Sequence, residues 1–136
     1  MKWLKSYKTF EGVSLSEIND FHKALREIFL ELEDDNYEVS VSYSLFNDQF
    51  TVSIVNKPAG EDCSGVIPSL AHSISYMTDY NFDFSLKINW TEYLSEIGSH
   101  GETEEYSTFT SDRIEREGLE VLNSYKDWDY IEIYFK

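Results

Sequence analysis

The clearest structural pattern in this chain is Val39-Ser-Val-Ser-Tyr-Ser-Leu45, followed by Phe50-Thr-Val-Ser-Ile54. In both segments apolar residues alternate with Ser or Thr, which is the period-two pattern of a strand with one buried face. A two-residue turn at Asn47-Asp48 would place Leu45 opposite Phe50, and every apolar pair would then share one face. We therefore predict a β-hairpin, with a sheet built outward from it.

Amphipathic helices are predicted on both sides of this hairpin. Residues 15–32 carry apolar side chains at three- and four-residue spacing, and Ser14-Leu-Ser-Glu17 has the form of a capping box where that helix begins. A second helix is predicted from Pro68 to Tyr80, with the proline at its first position. A third is predicted to begin at Asp112.

The remaining segments complete a sheet. Residues 82–90 and 131–135 alternate as strands, residues 106–110 form a short edge strand, and residues 96–105 are Gly-, Ser- and Glu-rich like a loop. The order α-β-β-α-β-(β)-α-β predicts an α+β fold, a mostly antiparallel sheet with helices packed on one face. The hairpin leaves no room for a ferredoxin-like arrangement, so a meander-type sheet is favoured. Residues 1–136 are interpreted as one domain, with residues 1–12 as a flexible N-terminal segment.

The charge of the chain bears on its partners. Among its 136 residues it has 26 acidic and 11 basic side chains, a formal net charge of −15. Between Glu27 and Asp112, 17 acidic residues face only Lys57 and Lys87. Such a surface is repelled by nucleic acids and anionic membranes and favours a basic protein partner, although acidity also serves solubility alone. Homo-oligomerisation is left open.

Two groups of residues are the candidate partner-binding surfaces. The first lies at the end of the first helix, where the negative helix dipole makes acidic side chains unfavourable, and comprises Glu31, Glu33, Asp34 and Asp35. The second is predicted to point outward from the last strand and comprises Trp128, Tyr130, Glu132 and Tyr134. Aromatic side chains interleaved with acids suit an Arg-rich surface. The alternative is that a second layer covers this face.

No catalytic, cofactor or metal site is predicted. Zinc sites show paired ligands at short spacing, which this chain lacks, and no glycine-rich phosphate loop occurs. A thiol dyad of Cys63 with His22, His72 or His100 is the remaining enzymatic reading, but no family signature surrounds the cysteine. A single cysteine, with no apolar leader or membrane-spanning run, indicates a cytoplasmic location.

The opening Met1-Lys-Trp-Leu-Lys-Ser-Tyr-Lys-Thr-Phe-Glu11-Gly12 resembles the basic, aromatic start of small uncharacterised tailed-phage proteins. It is also similar to capsid-targeting peptides of T-even-type phages, which are cut after a Glu that precedes a small residue. The resemblance implies a phage origin, and with it either antagonism of host defence or packaging into the head.

These observations favour a non-enzymatic acidic inhibitor of a cationic, nucleic-acid-handling or defence protein, acting in the host cytoplasm. One alternative is an oligomer that sequesters a small molecule or nucleotide signal through Lys57, Lys87, Arg113 and Arg116. Another is a packaged virion accessory protein.

Overall fold

Helices and strands follow one another in the predicted order. The computed structural model describes residues 15–57, 62–94, 101–125 and 128–136, without the side chains of residues 91–94 and 101–104. The helices in these ranges are α1 (Leu15–Ile28), α2 (Leu30–Asp34), α3 (Ile67–Asp79) and α4 (Ser111–Glu117). The strands are β1 (Glu38–Ser44), β2 (Gln49–Val55), β3 (Phe84–Leu94), β4 (Gly101–Thr110) and β5 (Trp128–Phe135). The predicted α+β class and antiparallel sheet are confirmed.

The strand order of the sheet is β1-β2-β5-β3-β4, and every neighbouring pair is antiparallel. The prediction of a meander is therefore wrong. The connection from β2 to β3 contains α3. Both strands are antiparallel to β5, so they run in the same direction, and they are not neighbours in the sheet. β5 fills the space between them and pairs with both, so the last strand of the chain lies at the centre of the sheet.

The side chains of adjacent strands form rows across the sheet. One row joins Val52, Ile133 and Leu86, all fully buried beneath the helices. α1 contributes Leu25 and α3 contributes Leu70 to the same core, and both are fully buried. We call the side of the sheet away from the helices the outer face; its central row contains Ser53, Glu132 and Lys87.

The hairpin is present, but its predicted register is wrong by two residues. Tyr43, not Leu45, pairs with Phe50, so the turn is a four-residue loop. A two-residue turn of the expected type needs positive φ at both central positions, whereas only Asp48 adopts it in this loop, with φ 51°. The Tyr43 ring packs on Phe50 at 4.7 Å and its hydroxyl donates a hydrogen bond to Asp48 Oδ1. The even shift keeps the apolar residues on one face and leaves Leu45 exposed.

The first predicted helix is interrupted at Phe29, where φ is −93° and ψ is 4°. The Phe29 side chain stays in the core, 1% exposed, while the next residue, Leu30, is turned outward and is 53% exposed. The interruption therefore separates α2 from α1. It also places an apolar side chain on the surface, beside the acidic residues that follow.

Some residues named from the sequence lie outside the described ranges, and two predicted segment boundaries differ from those of the structure. The capping residue Ser14, the segment 1–12 and His100 lie outside the described residues. Residues 101–105 belong to β4 rather than to a loop, because β3 continues to Leu94 and pairs with them. α4 begins one residue before Asp112, and its N-cap is Thr110, whose side chain accepts a hydrogen bond from the backbone N–H of Arg113 at 3.3 Å.

Candidate functional site

The acidic residues at the end of the first helix lie together on the surface. We call this group the acidic patch; it consists of Glu31, Glu33, Asp34 and Asp35, which are all exposed. Arg26 Nη2 lies 3.8 Å from Glu33 Oε1, with both side chains more than a third exposed. An exposed ion pair of this kind stabilises the protein by no more than about 1 kcal/mol. Because one arginine balances only one of the four carboxylates, the patch stays strongly negative.

The predicted outward position of Trp128 is wrong. Its side chain is 1% exposed and stacks on Tyr37, with ring centroids 6.1 Å apart and planes 11° apart. The cause is a β-bulge: Asn89 pairs with Tyr130, but Trp90 pairs with Trp128, so one extra residue stands on β5. An extra residue reverses the alternation of side chains, which turns Trp128 into the core. The backbone N–H of Asn56 donates to the carbonyl of that extra residue, Asp129, at 2.8 Å and fixes the bulge.

The other three residues of the strand group are on the outer face, as alternation predicts. Tyr130, Glu132 and Tyr134 are half-buried between neighbouring strands. Burial raises the pKa of Tyr134 to about 12, helped by the charge of Glu132 and a hydrogen bond to it. The hydroxyl of Tyr130 accepts a hydrogen bond from Nδ2 of Asn89 at 3.0 Å, and Asn89 is only 2% exposed. Tyr130 therefore has a structural role in satisfying a buried amide.

The fold does not bring the two predicted surfaces together. The acidic patch belongs to the helical layer, whereas the three strand residues lie on the outer face. The charges described on and beside that face are also mixed: Lys57 Nζ lies 3.1 Å from Glu38 Oε2, and Lys87 Nζ lies 4.8 Å from the ring centroid of Tyr106. Among the described residues, concentrated negative charge therefore occurs on the helical side.

Cys63 lies in a short 3₁₀ helix, Cys63–Gly65, and its side chain is fully buried. Burial raises the pKa of its thiol from 9.0 to about 12, and the negative charge of Asp62 adds to the effect. A nucleophilic cysteine requires the opposite shift, because the thiolate is the reactive form. The thiol is thus protonated at neutral pH, and the dyad reading has no support from this site.

The raised pKa of Cys63 predicts a loss of stability in alkali. Above about pH 9 the thiol of the unfolded chain loses its proton while the folded thiol keeps it, so the free energy of unfolding declines until about pH 12. Tyr134 contributes with the same sign above its ordinary value of 10.0. Urea midpoints across this range should fall more steeply for the native sequence than for Cys63→Ala. Rapid alkylation of the folded protein at neutral pH would contradict the burial of the thiol.

Three of the four basic residues considered for anion binding, Lys57, Lys87 and Arg113, make other contacts. Lys57 and Lys87 make the contacts given above. Arg113 Nε donates to Glu117 Oε2 at 2.6 Å, and its guanidinium lies 4.3 Å from the ring centroid of Phe109. Each of these contacts has a different partner, so they give no support to a shared phosphate site.

A groove between α1 and α3 was not predicted from the sequence. Its wall on the first helices consists of Ala24, Glu27, Ile28 and Glu31, and its wall on α3 consists of Pro68, Ser69, His72 and Tyr76. The first set follows i, i+3, i+4 and i+7, which is the spacing of one helical face. That spacing is visible in the sequence. The four residues are next to the apolar stripe of the same helix, which forms the core and is the stronger pattern.

Searches of protein-family models, of curated proteins and of solved structures returned no match to this chain. Within the described ranges, no helix is long and apolar enough to cross a membrane. The same ranges contain no cluster of three or more His, Cys, Asp or Glu side chains placed to hold a metal ion.

Proposed function

We propose that this chain is a non-enzymatic acidic binding protein that antagonises a cationic protein of the nucleic-acid-handling or defence class, encoded by a tailed phage. The observation that carries the proposal is the exposed Leu30 beside the acidic patch. Residues three and four apart are neighbours on a helix surface, so Glu33 and Asp34 flank this leucine along α2. An apolar anchor surrounded by charge has the composition of a protein interface, with a desolvated centre and a polar rim.

The sign of the charge selects the partner. With a net charge of −15, the chain is attracted to cationic protein surfaces and repelled by phosphate backbones. Leu30, which lies beside the patch, is aliphatic, and this suits the stems of Lys and Arg side chains as well as a neighbouring apolar contact. Occupation of a basic surface in this way would exclude its nucleic-acid ligand.

Two variants with equal charge test the proposal. The patch variant carries Glu31→Gln, Glu33→Gln, Asp34→Asn and Asp35→Asn. The control carries Asp112→Asn, Glu115→Gln, Glu117→Gln and Glu120→Gln. Each removes four exposed carboxylates, and each disrupts one ion pair with an arginine, Arg26 or Arg113 respectively.

Immobilised protein is incubated with bacterial lysate, and retained proteins are identified and purified. We expect a basic protein whose affinity falls at least about tenfold on the patch variant and little on the control, with the difference shrinking at high salt. The purified partner should lose nucleic-acid binding or cleavage when the native chain is added. Retention of no basic protein at any salt, equal retention by both variants, or a partner whose activity is unchanged would each overturn the proposal.

A further inference from the structure

The groove between α1 and α3 is about as long as two turns of a helix. It consists of two clefts of about 250 and 280 Å³, which adjoin because both are lined by Glu27, Ile28 and His72. Its α3 wall extends from Pro68 to Tyr76, which at about 1.5 Å per residue corresponds to about 12 Å, or two helical turns.

The side chains of the groove combine apolar and acidic character. Ala24, Ile28 and Tyr76 supply the apolar part, and Glu27 and Glu31 supply the charge. No Lys or Arg lines these two clefts within the described part of the chain. The pKa of Tyr76 is raised by burial first, then by Tyr80, and further by the negative charges of Asp20 and Glu27. The groove is thus a negative environment with an apolar base.

We infer that this groove binds a basic amphipathic helix of the cationic partner. Apolar side chains of that helix would enter the clefts beside Ile28 and Tyr76, and its Lys or Arg side chains would meet Glu27 and Glu31, the usual division of labour in helix-in-groove recognition. The inference rests on the proposed function and specifies the partner element. A second copy of this chain is a poor occupant, because two surfaces of a protein with net charge −15 repel each other.

An extended peptide would instead add to a sheet edge, and part of one of the two edges, β1, is already occupied. His22 Nε2 lies 3.0 Å from the carbonyl oxygen of Val41 on the edge strand β1. This contact uses a backbone group that strand addition would require. At the β1 edge, a helical partner is therefore favoured over an added strand.

The test uses two synthetic peptides of about 18 residues made of Leu and Lys in equal composition, one spaced as an amphipathic helix and the other alternating as a strand. The isotope-labelled full chain is titrated with each, and amide shifts are mapped by NMR. We expect shifts from the helical peptide at residues 24–31 and 68–76, and affinity at least about tenfold weaker for the alternating peptide. Equal affinity for both, or shifts centred on Tyr130, Glu132 and Tyr134, would overturn the inference.

One matched pair of variants completes the test. Ala24→Arg places a bulky cation in the groove, whereas Ala71→Arg places the same side chain on an exposed position of α3 outside the residues that line it. We expect Ala24→Arg to weaken the helical peptide at least about tenfold and Ala71→Arg less than about twofold. Equal effects would refute the groove as the binding site. Should Ala24→Arg fail to fold, the mapping on the native chain decides alone.

These results separate the two proposals. Both arginine variants leave the acidic patch intact. Capture of a basic protein that depends on the patch but is unaffected by Ala24→Arg would retain the proposed function and reject the groove. Groove binding by the helical peptide, with no basic protein retained from lysate, would retain the groove as a helix-binding site and reject the proposed function.

Discussion

Trp128→Ala is expected to lower the free energy of unfolding by about 3–5 kcal/mol, the usual cost of removing a large aromatic side chain from a core. Trp128 is 1% exposed and stacks on Tyr37, so the truncation leaves a cavity at the end of the sheet near the bulge. A domain typically has only about 5–15 kcal/mol of stability, and this single change would remove a large part of it. Urea unfolding followed by circular dichroism measures the loss.

Two comparisons make this result specific. Trp128→Phe should cost less, because it keeps a ring against Tyr37 and removes an indole N–H that is buried without a hydrogen-bond partner in the described structure. Tyr106→Ala, at a side chain that is 63% exposed on the outer face, should cost less than about 1 kcal/mol. A Trp128→Ala protein as stable as the Tyr106→Ala protein would contradict the burial of Trp128 and the bulge that causes it.

The position of Trp128 shows what sequence alternation predicts and where it fails. Alternation correctly identifies the core face of β5, because Ile131, Ile133 and Phe135 are fully buried. It fails at Trp128 because a bulge depends on the partner strand: the irregularity is defined between Asn89 and Trp90, some 40 positions away in sequence. A single strand's pattern contains no record of that pairing.

The predicted register of the hairpin is wrong for a different reason. The alternating residues of β1 and β2 predict its existence and its buried face, but two registers that differ by two residues satisfy the same alternation. The choice depends on the turn, where Asp48 alone takes a positive φ in the loop and Tyr43 reaches its carboxylate. These are contacts of the folded loop, which the spacing of apolar residues does not specify.

Of the two candidate sites on the helical side, the acidic patch follows from local sequence, whereas the groove depends on tertiary packing. Exposure of the acidic patch follows from its charged composition, since four of the five residues from 31 to 35 are acidic and charged side chains are rarely buried. The groove requires two helices to lie side by side. That proximity is created by the sheet, which carries both α1 and α3 on the same face. The helical spacing of Ala24, Glu27, Ile28 and Glu31 indicates a shared face but not the element that lies opposite it.

Phe21→Ala is the second change with a large expected effect, because Phe21 fixes α1 to the rest of the protein. Its ring contacts four others, with centroids 5.8 Å from Phe50, 6.4 Å from Tyr76, 5.1 Å from Tyr80 and 5.2 Å from Phe82. We expect a loss of about 3–5 kcal/mol in unfolding free energy from the cavity and the lost edge-to-face contacts. Leu15→Ala on the same helix, at a side chain 75% exposed, should cost less than about 0.5 kcal/mol.

The same substitution also bears on binding, because Tyr76 contacts Phe21 and lines the groove. Removing the Phe21 ring takes away a support of the α3 wall, so the helical peptide should bind Phe21→Ala more weakly than Leu15→Ala even where both proteins are fully folded. Binding titrations at a temperature well below both unfolding midpoints would measure this difference. If Phe21→Ala is as stable as Leu15→Ala and binds the peptide equally well, then α1 does not depend on this aromatic contact. In that case contacts other than those of Phe21 would hold α1 beside α3 and form the groove.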